Sequence, residues 1–119
     1  MNILKSEYIT FWDVDDTIIM HEPCSKLRIK DPLGGKDILV RLNRNMIRLM
    51  KEEHHRGATI IVWSRGGYEW ATNVIKALEL EEYVHTIMSK PLAYFDDKPI
   101  EEWLKYRVYL RPDEPYKLK

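Results

Sequence analysis

Three aspartates follow one another closely near the start of the chain, directly after a short run of apolar and β-favouring residues. The run occupies residues 9–12, and the acids are Asp13, Asp15 and Asp16. Carboxylates this close repel one another unless a positive group lies among them, and Mg²⁺, alone or with bound phosphate, would supply it. The alternative is that Asp15, Asp16 and Thr17 form only a turn and a helix cap. An acid-x-acid-x-Thr pattern at the end of a buried strand favours the chemical interpretation.

The surrounding elements predict a parallel sheet that positions these acids. The unbroken run at residues 9–12 is typical of a central parallel strand covered on both faces, and open α/β sheets bind ligands at the carboxyl ends of their strands. Apolar runs predict further strands at residues 58–63, 84–88 and 92–95, and an edge strand at 108–110. Helices are expected from the Asn43 N-cap to Gly57, after the turn at 65–67, and at 100–104. This alternation implies right-handed crossovers.

One segment departs from that alternation and predicts a flap. Residues 27–30 and 38–42 are expected to form two short strands joined by a turn at 31–36, which makes a β-hairpin. The fold class is therefore α/β, a three-layer Rossmann-like domain with a central parallel sheet and a small β-hairpin flap at about 24–42. Residues from Thr17 to Ser64 are expected to hold only a hairpin and a helix, and those from Ser64 to Lys90 only a helix and a short strand, so no inserted cap domain is expected.

Length and composition narrow the class of protein. The 119 residues suit a single domain, 1–119, with a polar tail at about 111–119. Lysine plus arginine and aspartate plus glutamate number 19 each, so no global charge indicates nucleic-acid or membrane binding. A single cysteine, Cys24, excludes an internal disulfide and fits a reducing compartment. No apolar stretch has the roughly 18 residues of a membrane span and no signal peptide is evident, so a cytoplasmic protein is expected.

Polar residues also mark the ends of other predicted strands, and parallel strands would bring those ends to one edge of the sheet. Ser64 ends the second strand, Lys90 precedes the fourth, and Asp96 and Asp97 follow it. In order, this set resembles the four motifs of the haloacid dehalogenase-like superfamily of phosphohydrolases. The resemblance covers residues 8–104, and the residues that carry it are Asp13, Asp15, Thr17, Ser64, Lys90, Asp96 and Asp97.

The chemistry implied is hydrolysis of a phosphate monoester through an aspartyl-phosphate. A carboxylate nucleophile divides a very slow reaction into two easier steps, and Asp13, the first acid after the strand, is the candidate. Asp15 would protonate the leaving oxygen and then deprotonate the attacking water. Neighbouring carboxylates raise the pKa of such an acid whereas Mg²⁺ lowers it, so the balance stays open.

The remaining site residues divide between metal and phosphate. Mg²⁺ usually takes one or two carboxylates together with phosphate oxygens and water. Asp13 and Asp96 are the expected direct ligands, and the resemblance adds the backbone carbonyl of Asp15. Asp97 either binds the metal directly or accepts a hydrogen bond in the shell around the ligands. Phosphate contacts are expected from the side chains that can donate to or neutralise the phosphoryl group. They are Ser64, Arg65, Lys90 and Thr17.

Each assignment has a structural alternative. Ser64 could cap the following helix, Lys90 could be a solvated surface residue, and the pair Asp96 and Asp97 could cap a helix. The four histidines show no ligand spacing that converges with the carboxylates. The tryptophans at positions 12, 63 and 70 are expected in the core. Asp16 stands where many relatives carry Gly, a variation that should not affect the chemistry.

Substrate and partners are less constrained. A site without a cap should be open, so a phosphorylated small molecule or a nucleic-acid end could enter it, and a homo-oligomer could close it. Cations on the flap (Arg28, Lys30 and Arg41) and beside the second and fourth motifs (Arg65 and Lys98), together with the aromatic Tyr68, would suit nucleotide or polynucleotide-end phosphates rather than sugar phosphates. The alternative is that they are ordinary solvated side chains. The alternatives to a phosphatase are a catalytically inactive metal-binding scaffold and a phospho-acceptor regulatory domain. In a receiver domain of the latter kind the lysine would lie on the last strand, whereas here an acid pair is expected there.

Overall fold

A computed structural model of the chain, which describes residues 8–23 and 25–104, shows a small α/β fold with a parallel three-stranded sheet, a second antiparallel sheet and helices. The strands are β1 (Ile9–Asp13), β2 (Ile19–Met20), β3 (Leu27–Ile29), β4 (Ile38–Leu42), β5 (Thr59–Ser64) and β6 (Thr86–Ser89). The helices are α1 (Arg44–His55), α2 (Tyr68–Ala77) and the single turn α3 (Ile100–Trp103), and a 3₁₀ turn occupies Glu81–Tyr83. Among residues 8–23 and 25–104 no helix is long and apolar enough to cross a membrane.

The parallel sheet has the order β1-β5-β6. Strands β1 and β5 pair along their whole length, from Ile9 opposite Thr59 to Asp13 opposite Trp63. The prediction of parallel strands near residues 9–12, 58–63 and 84–88 is confirmed. The prediction that β1 is the central strand is wrong for the residues described, because β5 is central and β1 forms an edge. Pairing with β5 on one side alone leaves β1 partly exposed.

The two faces of this sheet differ sharply in burial. Ile60, Val62 and Ser64 of β5 are fully buried, whereas the alternating residues Ile61 and Trp63 are only partly covered. The right-handed crossovers β1-α1-β5 and β5-α2-β6 run in the same direction across the sheet, which places both long helices on one face. The hydrophobic core therefore lies between that face and the buried sides of α1 and α2. On the other face Phe11 and Trp63 contact each other, and Phe11 is half exposed.

The predicted flap is present as a β-hairpin of β3 and β4. Strand β2, which the sequence did not indicate, adds to the other side of β4. Asn43 caps α1 as expected, since its side chain accepts a hydrogen bond from the backbone N–H of Met46. The Asn73 side chain on α2 donates to the backbone carbonyl of Lys30 at 2.9 Å, which fixes the hairpin against the helix.

The predicted strand at residues 92–95 is absent, and the segment forms an irregular connection instead. The side chains of Leu92 and Phe95 are fully exposed. A further parallel strand needs a crossover of about a dozen residues, and only Lys90 and Pro91 separate β6 from this segment. The apolar run was therefore misinterpreted as a buried strand. The edge strand expected at 108–110 and the tail at 111–119 lie outside the described residues.

Candidate functional site

The carboxyl end of β1 brings an acid and a base into contact. Lys90 Nζ lies 3.1 Å from Oδ1 of Asp13, and the Thr17 hydroxyl donates to Oδ2 of the same carboxylate at 3.2 Å. Lys90 directly follows β6, at the far edge of the sheet, so its side chain has to extend past the end of β5 to reach Asp13. The ammonium group also lies 5.8 Å from the Trp63 ring centre on that central strand. Asp13 of one edge strand and Lys90 after the other edge strand are thus in contact across the end of the central strand β5.

A tight turn after β1 carries the next two acids. The backbone carbonyl of Val14 accepts hydrogen bonds from the N–H groups of Thr17, Ile18 and Ile19. Asp16 adopts a φ of 58°, in the left-handed region that glycine occupies most readily. Aspartate is one of the few residues other than glycine that tolerate this conformation.

Asp15 is held by two side chains that the sequence did not connect to it. The Trp70 indole N–H lies 3.0 and 3.2 Å from the two carboxylate oxygens, and His21 Nε2 lies 2.7 Å from Oδ1. Trp70 was expected in the core and is indeed buried, but its polar edge faces the acid. A buried indole N–H needs an acceptor, and this requirement is the one signal that could have indicated the contact. His21, for which no role was expected, is a neighbour of the site.

The turn between β5 and α2 is closed by hydrogen bonds to two serines. The Ser64 hydroxyl is fully buried and accepts from the backbone N–H of Gly66 at 2.9 Å. The Ser89 hydroxyl accepts from the N–H of Tyr68, and Gly67, at φ 101°, is the N-cap residue of α2. Ser64 is therefore not the helix cap. Its hydroxyl instead helps to close the loop through the hydrogen bond with Gly66. The backbone carbonyl of Ser64 accepts a hydrogen bond from the Lys90 N–H at 2.9 Å.

Asp96 and Asp97 are not gathered with the other acids. In the described part of the chain no group of three or more His, Cys, Asp or Glu side chains is arranged to hold a metal ion. Both residues are exposed on the irregular segment that follows Lys90. A hydrogen bond with the Asp97 side chain, and next one from the Lys98 N–H, hold the pKa of Asp96 below its ordinary value.

The cations expected to contact substrate are spread over the flap and the loop after β5. Arg41 is engaged with Glu22, through bonds of 2.8 and 2.9 Å that lower the pKa of the glutamate. Arg28, Lys30 and Arg65 are exposed. The structure thus brings the side chains of Asp13, Thr17 and Lys90 together. Asp15 lies in the turn that follows Asp13.

Comparisons of the chain with protein-family models, with curated proteins and with solved structures find no match.

Proposed function

We propose that the protein is a Mg²⁺-dependent phosphate monoester hydrolase of the haloacid dehalogenase-like type, with a Rossmann-like domain and no cap. The single observation that carries the proposal is the contact of the Lys90 ammonium with the Asp13 carboxylate at the carboxyl end of a parallel sheet. A nucleophilic carboxylate must accept a phosphoryl group that is itself negative. A cation at 3.1 Å from that carboxylate offsets the repulsion, and the Thr17 hydroxyl orients the second oxygen.

Asp13 then attacks phosphorus and the bond to the leaving oxygen breaks, which gives an aspartyl-phosphate. Asp15 donates its proton to the leaving oxygen and afterwards takes one from the water that hydrolyses the intermediate. The indole N–H of Trp70 and the ring of His21 fix the direction of the Asp15 carboxyl group. Fixed geometry of this kind is what general acid catalysis needs.

The donor set suits Mg²⁺, which prefers oxygen ligands and needs only one or two carboxylates beside phosphate oxygens and water. Asp13 and the backbone carbonyl of Asp15 would hold it, with Asp96 as a further ligand and Asp97 beside it. The ion would supply charge neutralisation of the phosphoryl oxygens. Ser64 and Arg65 complete the proposed phosphate contacts. Arg65 would contact the phosphate directly, and Ser64 would do so after its hydroxyl exchanges the hydrogen bond with the Gly66 N–H for one with the phosphate.

The substrate class proposed is a nucleotide or a polynucleotide-end phosphate. Support comes from the exposed cations Arg28, Lys30 and Arg65 and from the exposed ring of Tyr68 at the start of α2. A site without a cap is expected to be open, and a second copy of the chain could close it.

The test is hydrolysis of an aryl phosphate by the purified protein in Mg²⁺, compared with Asp13→Asn. Asp13→Asn should lower kcat by more than about 10⁴, because removal of a residue of the catalytic set costs about that much. Asp16→Asn is the matched control: it stands in the same turn, tolerates the positive φ, and should retain activity within about threefold. A variant Asp13→Asn that keeps a few per cent of the activity would refute the nucleophile, and absence of activity in the parent protein would refute the phosphatase.

A further inference from the structure

A cavity of about 210 Å³ lies beside Asp15, between the flap and the start of α2. Its walls come from the turn after β1, from the loop that joins β3 and β4, and from α2. The residues that matter for the argument are Asp15, His21, Asp31, Leu33, Ile38 and Trp70.

We propose that this cavity binds the leaving group of the substrate, and that it takes an uncharged hydroxylated ring and rejects a ring that carries a second phosphate. The proposal rests on the phosphatase activity proposed above, because it follows from the role of Asp15. The acid that protonates the leaving oxygen must lie within hydrogen-bonding distance of that oxygen. The group bonded to the oxygen therefore lies on the side of Asp15, where the cavity opens.

Size and surface favour one ring. A cavity of about 150 Å³ in another protein binds benzene, so about 210 Å³ is enough for a pentose or a six-membered ring. Ile38 and Trp70 give the cavity apolar lining, to which the largely exposed side chain of Leu33 adds. Apolar walls with a few fixed polar groups are typical of sites that orient a small organic group.

The charges in the wall select against a second phosphate. Among the described residues that line the cavity none is lysine or arginine, whereas Asp15 and Asp31 are both acidic. Asp31 accepts a hydrogen bond from the backbone N–H of Leu33 at 3.0 Å, so its carboxylate is held in place. A carboxylate has room for several donors, and hydroxyl groups of a sugar ring are suitable ones. A phosphate on the same ring would meet the negative charge of Asp31 instead.

The wall is also fixed in position. Asn73 on α2 donates to the Lys30 carbonyl, next to Asp31, and the Gly34 N–H closes the turn by donating to the Asp31 carbonyl at 3.1 Å. A rigid acidic wall discriminates better than a mobile one, because it cannot move away from an unfavourable charge. Within the nucleotide class, the inference therefore favours a nucleoside monophosphate over a polynucleotide end, whose terminal sugar carries a second phosphate.

The experiment compares a nucleoside 5′-monophosphate with the corresponding nucleoside 3′,5′-bisphosphate, measuring release of the 5′-phosphate. In the parent protein the monophosphate should have a kcat/KM at least about tenfold higher. Asp31→Asn keeps the acceptor for the Leu33 N–H and removes only the charge. It should raise the ratio of kcat/KM for the bisphosphate to kcat/KM for the monophosphate by roughly threefold to tenfold, the range expected for one partly exposed like-charge contact.

Asp37→Asn is the matched control, since Asp37 lies on the same hairpin loop, is exposed and does not line the cavity. It should leave the ratio of the two substrates unchanged. An equal ratio in Asp31→Asn and the parent protein would overturn the leaving-group site, and so would a parent protein that prefers the bisphosphate. Either result leaves the phosphatase proposal intact as long as both substrates are hydrolysed and Asp13→Asn is inactive. If the parent protein hydrolyses an aryl phosphate but neither nucleotide, this inference and the nucleotide class fail while the phosphatase proposal stands. If it hydrolyses no phosphate ester at all, the phosphatase proposal fails and this inference falls with it.

Discussion

Replacement of Lys90 by methionine separates what the Lys90–Asp13 contact does for stability from what it does for catalysis. The two charged atoms are 3.1 Å apart, so their attraction is about 1.3 kcal/mol in bulk water and about 5 kcal/mol at an effective dielectric constant of 20. The side chains are 29% and 36% exposed, however, so screening and side-chain entropy reduce the net effect on stability to about 1 kcal/mol or less. Lys90→Met should therefore lower Tm by no more than about 8 °C.

The effect on catalysis should be much larger, because the phosphoryl group adds negative charge next to Asp13. Without the ammonium group, kcat/KM for an aryl phosphate should fall by about 10² to 10³. Both quantities are measurable on one preparation, by steady-state kinetics and by thermal unfolding followed by circular dichroism. Lys76→Met, on the exposed side of α2, is the control and should change neither quantity appreciably. A kcat/KM for Lys90→Met within threefold of the parent value would show that Lys90 is only a structural partner of Asp13.

Two further predictions follow from the proposed mechanism. Asp15→Asn should lower kcat by about 10² to 10⁴ for an alkyl phosphate but far less for nitrophenyl phosphate, whose leaving group needs little protonation; equal losses would show that Asp15 only supports the fold. Activity should fall to background in excess chelator and return with Mg²⁺, and Asp96→Ala should raise the Mg²⁺ concentration needed for half-maximal activity more than Asp97→Ala does. Full activity in chelator would refute the metal, and the reverse order of the two variants would exchange the roles of the two acids.

The sequence predicted those parts of the fold that depend on local patterns. The hairpin, the Asn43 cap and the strands β1 and β5 follow from runs, turn residues and periodicity within a dozen positions. The prediction of a fourth strand at residues 92–95 was wrong because an apolar run shows only that a segment could be buried, whereas a parallel strand also needs a crossover. Counting the two residues after β6 would have excluded it. β1 is also less buried than predicted, because it is an edge strand of the described sheet and Phe11 on it is half exposed.

The candidate site divides in a similar way. Convergence of strand ends brought Asp13 and Lys90 together, and that needs only the sheet order. The contact of Trp70 with Asp15 spans 55 positions and depends on which side of α2 faces the turn after β1. Periodicity predicted that Trp70 is buried, but not where its one polar atom points. His21 could not be predicted because the segment that carries it has no periodicity at all.

The absence of the fourth strand changes what the magnesium proposal requires, but the chain still permits it. Asp96 follows Lys90 by six residues, and six extended residues span at most about 22 Å between Cα atoms. As long as Lys90 is in contact with Asp13, the segment that carries Asp96 therefore begins one lysine side chain away from the site. The connection between them has no regular structure, and its apolar side chains Leu92 and Phe95 are not packed against the core. A segment with so few buried contacts can rearrange at little cost in free energy. Lys90 thus has a second consequence for the site, since it anchors the start of the segment that would bring the metal-binding acids to Asp13.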